Sequence, residues 1–364
     1  MRRLNVDLGD RSYPILIGHG IIGQLPGFLA ERGIKTVNKL LVITDEQVAK
    51  HHLQPVLDVL AEAGYSAASH IVPAGEQSKT LTQLEDIVTT ALEAGLDRKS
   101  AIIALGGGVV GDLAGFAAAC YMRGIRFVQV PTTVLAHDSS VGGKTGVNHR
   151  LAKNIIGAFH QPELVCYDTA TLATLSERDI RAGLSEVIKH GLIWDASFVA
   201  WCEEHAEELL ALEPETIAHA LYVGCHVKAQ VVSQDERENG LRAILNLGHT
   251  IGHALEAVAG YNELQHGEAI SIGMVGAAKL AVRLGYDQEI YTVTKRVLKK
   301  FGLPIRLPAH YDREQIMDAM MHDKKFKDGK MVFVVPVSIG QVEIRNDIEA
   351  DWIRAIIDEL KQEA

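Results

Sequence analysis

Short apolar runs rich in Val, Ile and Leu recur through the first half of the chain, separated by stretches with helical spacing. The runs at 39–44 (KLLVIT), 67–72, 100–105 (SAIIAL) and 126–130 (RFVQV) predict strands. Helices are expected from about 45, over 80–94, and after the glycines at 106–108. Segments 4–8 and 13–17, on either side of Gly9-Asp10, predict a small hairpin. Strand–helix alternation of this kind implies a parallel sheet covered on both faces. Such sheets take ligands beyond the carboxyl ends of their strands. After about residue 175 the period changes. Segments 176–190, 197–210, 214–234, 242–259 and 267–284 predict helices, and one late β patch pairs 331–337 with 341–345. The expected architecture is an α/β domain over 1–175 followed by a mainly α-helical domain over 176–364, with the boundary near 168–176.

Composition narrows the class. Of 364 residues, 47% are hydrophobic and 23% charged, the balance of a folded globular chain. The net charge of −10 excludes a global attraction for nucleic acid or an anionic membrane, so neither is an expected partner. No run reaches the ~18 uncharged apolar residues of a membrane helix. Asn5, Asp7 and Asp10 interrupt the apolar run that a signal peptide would need. The cysteines, Cys120, Cys166, Cys202 and Cys225, form no C-x-x-C pair, which fits a reducing, cytoplasmic setting.

Three groups of residues carry chemistry. Gly106-Gly107-Gly108-Val109-Val110-Gly111-Asp112 sets G-x-G-x-x-G between a predicted strand and a predicted helix, the Rossmann-like context for a dinucleotide pyrophosphate. The acidic residue expected ~20 positions later is absent: the next strand ends in Pro131-Thr132-Thr133. A tight turn with no ligand is the plainer alternative for this motif alone. Thr44-Asp45 and Gly75-Glu76-Gln77-Ser78-Lys79 add polar strand ends that favour a nucleotide. Next, His249 and His253 fall on one helical face, His266 follows in His266-Gly267-Glu268, and Glu186 lies on an earlier predicted helix. Two imidazoles and a carboxylate with an open position describe a catalytic zinc site. Paired histidines alone are more often surface or packed residues, yet Gly248 and Gly252 beside them cost helix stability and require a reason. Spacing does not decide between His249 and His253. Last, Lys189 sits one turn after Glu186, so it lines any pocket that Glu186 lines. Arg123, Lys144, Lys153, Arg242, Lys324 and Lys325 also lie in Gly-rich or apolar settings. A cationic pocket of this kind implies a small anionic substrate.

Nine blocks in order resemble the 3-dehydroquinate synthase family: 106–112 (GGGVVGD), 121–124 (YMRG), 131–133 (PTT), 141–148 (VGGKTGVN), 153–162 (KNIIGAFHQP), 183–191 (GLSEVIKHG), 242–254 (RAILNLGHTIGHA), 266–269 (HGEA) and 323–325 (DKK). The resemblance implies a dinucleotide-binding α/β domain, a helical metal domain and an active site in the cleft. It also implies a homodimer using NAD and zinc or cobalt. The substrate would be 3-deoxy-arabino-heptulosonate 7-phosphate, a sugar phosphate taken to 3-dehydroquinate and phosphate by oxidation, elimination, reduction, ring opening and aldol closure. Metal ligands then fall on Glu186, His249 and His266, with His253 on the substrate side as a proton-handling residue. Cofactor contacts fall on Asp45, Gly75, Glu76 and Lys79, on the turn Gly107, Gly108, Val109, Val110, Gly111 and Asp112, on Thr132, Thr133, Lys144 and Lys153, and on Thr171, Leu172, Ala173 and Thr174. Substrate contacts fall on Asp138, Lys144, Asn154, Lys189, Arg242 and one of Lys324 and Lys325. Arg123 would reach the neighbouring subunit's site. Leu247 and Ile251 stand where aromatics are usual, a change of packing with the chemistry kept. Rival readings are a metal-dependent polyol dehydrogenase, a cyclase making another cyclitol, and a nucleotide sensor without chemistry.

Overall fold

The computed structural model describes residues 1–260, 263–321 and 331–363. Lys324 and Lys325 lie outside them, as do Tyr261 and Asn262. Two compact units emerge: Met1–Leu175 with Pro214–Arg237, and Ser176–Glu213 with Glu238–Ala364. The expected division at 175/176 therefore differs by one element. The helix Pro214–Gln234 packs on the first unit, because Ala218, Leu221, Cys225 and Val232 give it an apolar face for strands of that unit's sheet.

The first unit is built on a seven-stranded sheet. Its strands are β1 (Arg2–Val6), β2 (Tyr13–Gly18), β3 (Leu40–Asp45), β4 (Ala67–Val72), β5 (Ala101–Gly106), β6 (Arg126–Pro131) and β9 (Leu164–Asp168). Their order is β1-β2-β9-β6-β5-β3-β4. Only β1 runs antiparallel, closing the expected hairpin with β2. Alternate residues feed two cores. Leu40, Val42, Ala101, Ile103 and Val128 face one side, and Leu41, Ile43, Ile102, Ala104 and Phe127 the other. Burial on both faces is why these strands read as continuous apolar runs. The order reverses between β3 and β5, so the chain leaves those two strands in opposite lateral directions. That is the switch point at which open α/β sheets bind ligands, and Asp45 and the glycine turn sit there.

The glycine-rich residues 141–148, whose composition reads as a flexible loop carrying Lys144, form ordered structure instead. Gly142 and Gly143 adopt positive φ, and then β7 (Lys144–His149) pairs with β8 (Ala152–Phe159) as a separate hairpin. Its glycines serve the pairing. A Cβ on Gly146 would come 2.6 Å from the Ile156 carbonyl oxygen, and one on Gly157 would come 2.2 Å from that of Thr145.

The second unit is mainly helical, with one two-stranded sheet, β10 (Phe333–Ser338) and β11 (Gln341–Arg345). The predicted helix over 242–259 is divided. A 3-10 turn, Leu241–Asn246, ends at Leu247, and Gly248 at φ 80° restarts the chain as the helix His249–Val258. The predicted helix over 197–210 likewise breaks at His205. Among the described residues no helix is long and apolar enough to cross a membrane.

Within this unit Glu363 is held by Lys279 at 2.6 Å, Lys295 at 2.8 Å and the Tyr291 hydroxyl at 2.8 Å. Burial alone would raise this carboxyl. The hydrogen bonds from Lys279, Lys295 and Tyr291 outweigh it and pull it down to about 2. A depressed carboxylate stabilises the fold above its unfolded pKa and loses that contribution as the pH falls through the folded value. The linkage is worth roughly 3 kcal/mol at neutral pH. Glu363→Gln should therefore lower the urea midpoint clearly at pH 7, and the gap to wild type should close between about pH 4.5 and pH 2. A gap of equal size at pH 7 and pH 2.5 would show that the charge of Glu363 is not what stabilises.

Candidate active site

The second unit brings Glu186, His249 and His266 together from three helices. Glu186 lies on Glu177–Trp194, His249 opens His249–Val258, and His266 opens His266–Arg283. One ligand atom from each falls within 4.8 Å of the others. Glu186 Oε1 is 3.9 Å from His249 Nε2 and 3.8 Å from His266 Nε2. Its other oxygen, Oε2, accepts a hydrogen bond from Lys189 Nζ, and both side chains are 1% exposed.

Glycines make this convergence possible. The helix His266–Arg283 approaches its neighbours so closely that a Cβ on Gly267 would lie 1.9 Å from the Ala182 carbonyl oxygen. One on Gly273 would lie 1.9 Å from that of Gly248. Gly252 and Gly248 meet the same helix at its Ile270 and Met274 positions. The cost of glycine in and beside a helix is thus offset by contact between backbones. The helix start is fixed as well. Gln265 and Glu268 form a capping box, Arg178 holds both Glu268 oxygens at 2.6–2.7 Å, and Gln265 bonds Asp179 at 2.8 Å. Arg178 and Asp179 belong to the first turn of the helix that carries Glu186.

The donor set fits a divalent cation. Glu186 Oε1 is buried with no hydrogen-bond partner among the described residues, a costly state unless an ion serves it. His249 Nδ1 lies 3.1 Å from the Leu247 carbonyl oxygen. A carbonyl only accepts, so Nδ1 carries the hydrogen and Nε2 keeps its lone pair. His266 Nδ1 does the same with Glu256 Oε2 at 3.1 Å. Burial pulls the His266 ring toward its neutral form. The Glu256 hydrogen bond and the Glu256 and Glu186 charges outweigh burial and leave its pKa raised. His253 packs at 5.1 Å between ring centroids from His249. It belongs to a second possible group with Glu256 and His266. Arg242 is 1% exposed.

The expected nucleotide residues lie in several local groups of the first unit. Gly107 caps the helix Gly108–Cys120. Its φ is −79°, so glycine is needed there for space: a Cβ would lie 3.0 Å from the Thr133 side chain, and one on Gly108 would lie 3.1 Å from Ser139 Oγ. Val110 is buried under the turn, and a Cβ on Gly111 would meet Gln129 at 2.8 Å. Thr132 donates its N–H to the Gly106 carbonyl at 3.1 Å, and its buried hydroxyl has no partner among the described residues. Asp45 uses one oxygen to cap the helix after β3. Thr171 and Thr174 anchor a 3-10 turn, Thr169–Thr174, against His52. Lys79 is the hub. Its Nζ is 2.7 Å from Asp112 and 2.5 Å from Asn154 Oδ1, while Asn148 bridges Glu76 at 2.8 Å and the Asn154 N–H at 2.8 Å. Burial raises the Asp112 carboxyl, and Lys79 works against that rise. Lys144 and Lys153 lie on the hairpin. Arg123 is exposed on a turn in which Met122, Arg123 and Gly124 all have positive φ. Asp138 is paired at 2.8 Å with Lys228, which is 7% exposed.

Sequence reasoning missed Glu256, Lys228, Asn148 and His52. Glu256 was signalled by its place one turn beyond His253 on the imidazole face. Lys228 was signalled as a lysine inside the apolar stripe of a helix. Asn148 and His52 carry no comparable signal.

A parallel-sheet unit with a glycine turn at its switch point is joined here to a helical unit with a Glu–His–His cluster, and the fold is that of several solved enzymes. A 2-deoxy-scyllo-inosose synthase complexed with carbaglucose-6-phosphate, NAD+ and Co2+ superposes with a TM-score of 0.90 at 26% identity, covering 98% of this chain and 100% of that one. The 2-epi-5-epi-valiolone synthase of Streptomyces hygroscopicus subsp. jinggangensis, with NAD+ and Zn2+ bound, gives 0.89 at 26% identity over 98% of each. An iron-containing alcohol dehydrogenase from Thermococcus thioreducens shares the fold alone, with a TM-score of 0.70 at 16% identity, covering 97% of this chain and 99% of that one. Residues 69–182 match the family described as 3-dehydroquinate synthase N-terminal, and residues 183–326 its C-terminal counterpart. Proteins named 3-dehydroquinate synthase from Desulforamulus reducens and Nitrosococcus oceani are 49% and 48% identical, over 98% of this chain and 99% of each relative. The chain belongs to the 3-dehydroquinate synthase family.

Gly267→Ala should separate packing from ligand chemistry. The methyl has no room beside the Ala182 carbonyl, an overpacking cost of roughly 3 kcal/mol. The variant should melt earlier and retain less zinc after dialysis against a weak chelator. Gly23→Ala, where a Cβ meets nothing within 4 Å, is the control and should behave as wild type. Full zinc retention in the Gly267 variant would mean that the close approach is not what brings the ligands together.

Proposed function

We propose that this chain acts as a 3-dehydroquinate synthase, converting 3-deoxy-arabino-heptulosonate 7-phosphate to 3-dehydroquinate and phosphate with no net oxidation, a phosphorus–oxygen lyase reaction. The observation that carries this reading is the Glu186 carboxylate, divided between Lys189 and two converging imidazoles, in a chain whose relatives bear that name. Glu186, His249 and His266 would hold zinc or cobalt. The helix N-terminus at Gly107 and Gly108 would take the pyrophosphate of NAD, with Val109, Val110 and Gly111 forming its first turn. Thr132, Thr133, Asp45, Gly75, Glu76, Lys153 and the turn from Thr171 through Leu172 and Ala173 to Thr174 would contact the rest of it. Bound, NAD supplies reversible hydride uptake and the divalent ion supplies Lewis acidity that favours loss of a hydroxyl proton.

The chain's own residues do the remainder. Lys189 and Arg242 are buried cations, so each binds an anionic oxygen strongly and holds it in one place. Lys144 and one of Lys324 and Lys325 add charge for the carboxylate and phosphate. Asn154 gives its carbonyl to Lys79, which leaves its amide N–H donors for a substrate oxygen. Asp138, fixed by Lys228, accepts a hydroxyl proton in a hydrogen bond. His253 holds and passes a proton at a ring nitrogen, as an imidazole near neutrality does. The same reading takes the protein to be a cytoplasmic homodimer, with Arg123 serving the neighbouring subunit's site.

Phosphate release from the heptulosonate phosphate tests the whole reading. It should require NAD and stop with a chelator, and no NADH should accumulate. Stoichiometric NADH would point to a polyol dehydrogenase, and a different carbocycle would point to another cyclase. Glu186→Gln should lose metal and turnover together. Lys189→Ala should keep its metal while turnover falls about 10²–10³-fold. Wild-type kinetics in the second variant would remove Lys189 from the site.

A further inference from the structure

We infer that Glu256 is a positioning residue for the metal site, acting through His266. The inference rests on the Glu186–His249–His266 site proposed above. The Glu256 side chain is 10% exposed, and its Oε2 lies 3.1 Å from His266 Nδ1. A carboxylate only accepts, so this contact keeps the hydrogen on Nδ1 and presents the Nε2 lone pair, the atom 3.8 Å from Glu186 Oε1. The two ligand imidazoles are thus backed unequally. His249 rests on the neutral carbonyl of Leu247, and His266 rests on a full negative charge. A charged acceptor makes the ring a stronger donor to a cation and fixes its rotation. It also spans two elements. Glu256 sits on His249–Val258 and His266 on the next helix, so one hydrogen bond sets the second imidazole relative to the helix that carries the first.

Glu256 could instead be a ligand itself, in the group it forms with His253 and His266. Two observations decide against that. Its contact is with Nδ1 at hydrogen-bond distance, and that grouping leaves Glu186 Oε1 buried with nothing to serve it.

The test titrates zinc-free protein with Co2+, followed by its visible absorption, and with Zn2+ in competition with a chromophoric chelator. Glu256→Ala should weaken both metals about 10–100-fold. Glu256→Gln, which keeps an acceptor and loses the charge, should fall between Ala and wild type. It also carries the test if the Ala variant does not fold. The rise in melting midpoint on adding Zn2+ should be smaller in Glu256→Gln than in wild type. Glu186→Gln should abolish binding. If both Glu256 variants bind as tightly as wild type while Glu186→Gln does not bind, the inference is overturned and the metal site stands. If Glu256→Gln abolishes binding and Glu186→Gln tolerates it, Glu256 is a ligand and the inference is equally overturned. If Glu186→Gln binds as wild type, the metal site itself is wrong.

Discussion

A carboxylate that cannot be left alone governs the second unit. Glu186 is 1% exposed, and a charge so placed is tolerable only when neighbours compensate it. Lys189 answers one oxygen, and two imidazoles turn their lone-pair nitrogens toward the other. Each imidazole must therefore be aimed, and the aiming explains features that otherwise look like sequence noise. Gly248 redirects the chain before His249, Gly267 and Gly273 bring backbones into contact, and Arg178 with Glu268 pins the turn from which His266 projects. Electrostatics sets the demand here, and packing meets it.

The first unit solves a different problem. Polar side chains at several strand ends must be held open toward a ligand without collapsing on one another. Lys79 does this by taking Asp112, Asn154 and, at 3.8 Å, Glu76 around a single ammonium group. The network links the turn after β4, the helix after the glycines and the β7–β8 hairpin. Removing its centre would leave the Asp112 and Glu76 carboxylates and the Asn154 amide to re-pair.

Much of this was legible in the chain. The strands β3 and β5 stand out because burial on both faces leaves their apolar runs without polar interruption, and Thr80 and Ser176 mark helix starts that the caps confirm. The cluster of Glu186, His249 and His266 could be read down to Glu186 and His266, with His249 and His253 unresolved on one face. What separates those two is the backbone: Leu247 offers its carbonyl to His249 at 3.1 Å, a fact no spacing encodes. The β7–β8 hairpin was hidden because Gly142, Gly143 and Gly146 read as a loop, although Gly146 is there to admit a neighbouring strand. The break at Gly248 was hidden because periodicity runs across it.

The excursion at 214–237 has a consequence for how the polypeptide is made. The chain enters the helical unit at Ser176, returns to the sheet unit at Pro214, and leaves it again at Glu238. The strands β1 and β2 stay without that cover until residue 234 is available, a stretch that follows Glu186 in the chain and precedes His249 and His266. Neither half can be released as an independent module by one scission, because each borrows a stretch of chain from inside the other's sequence.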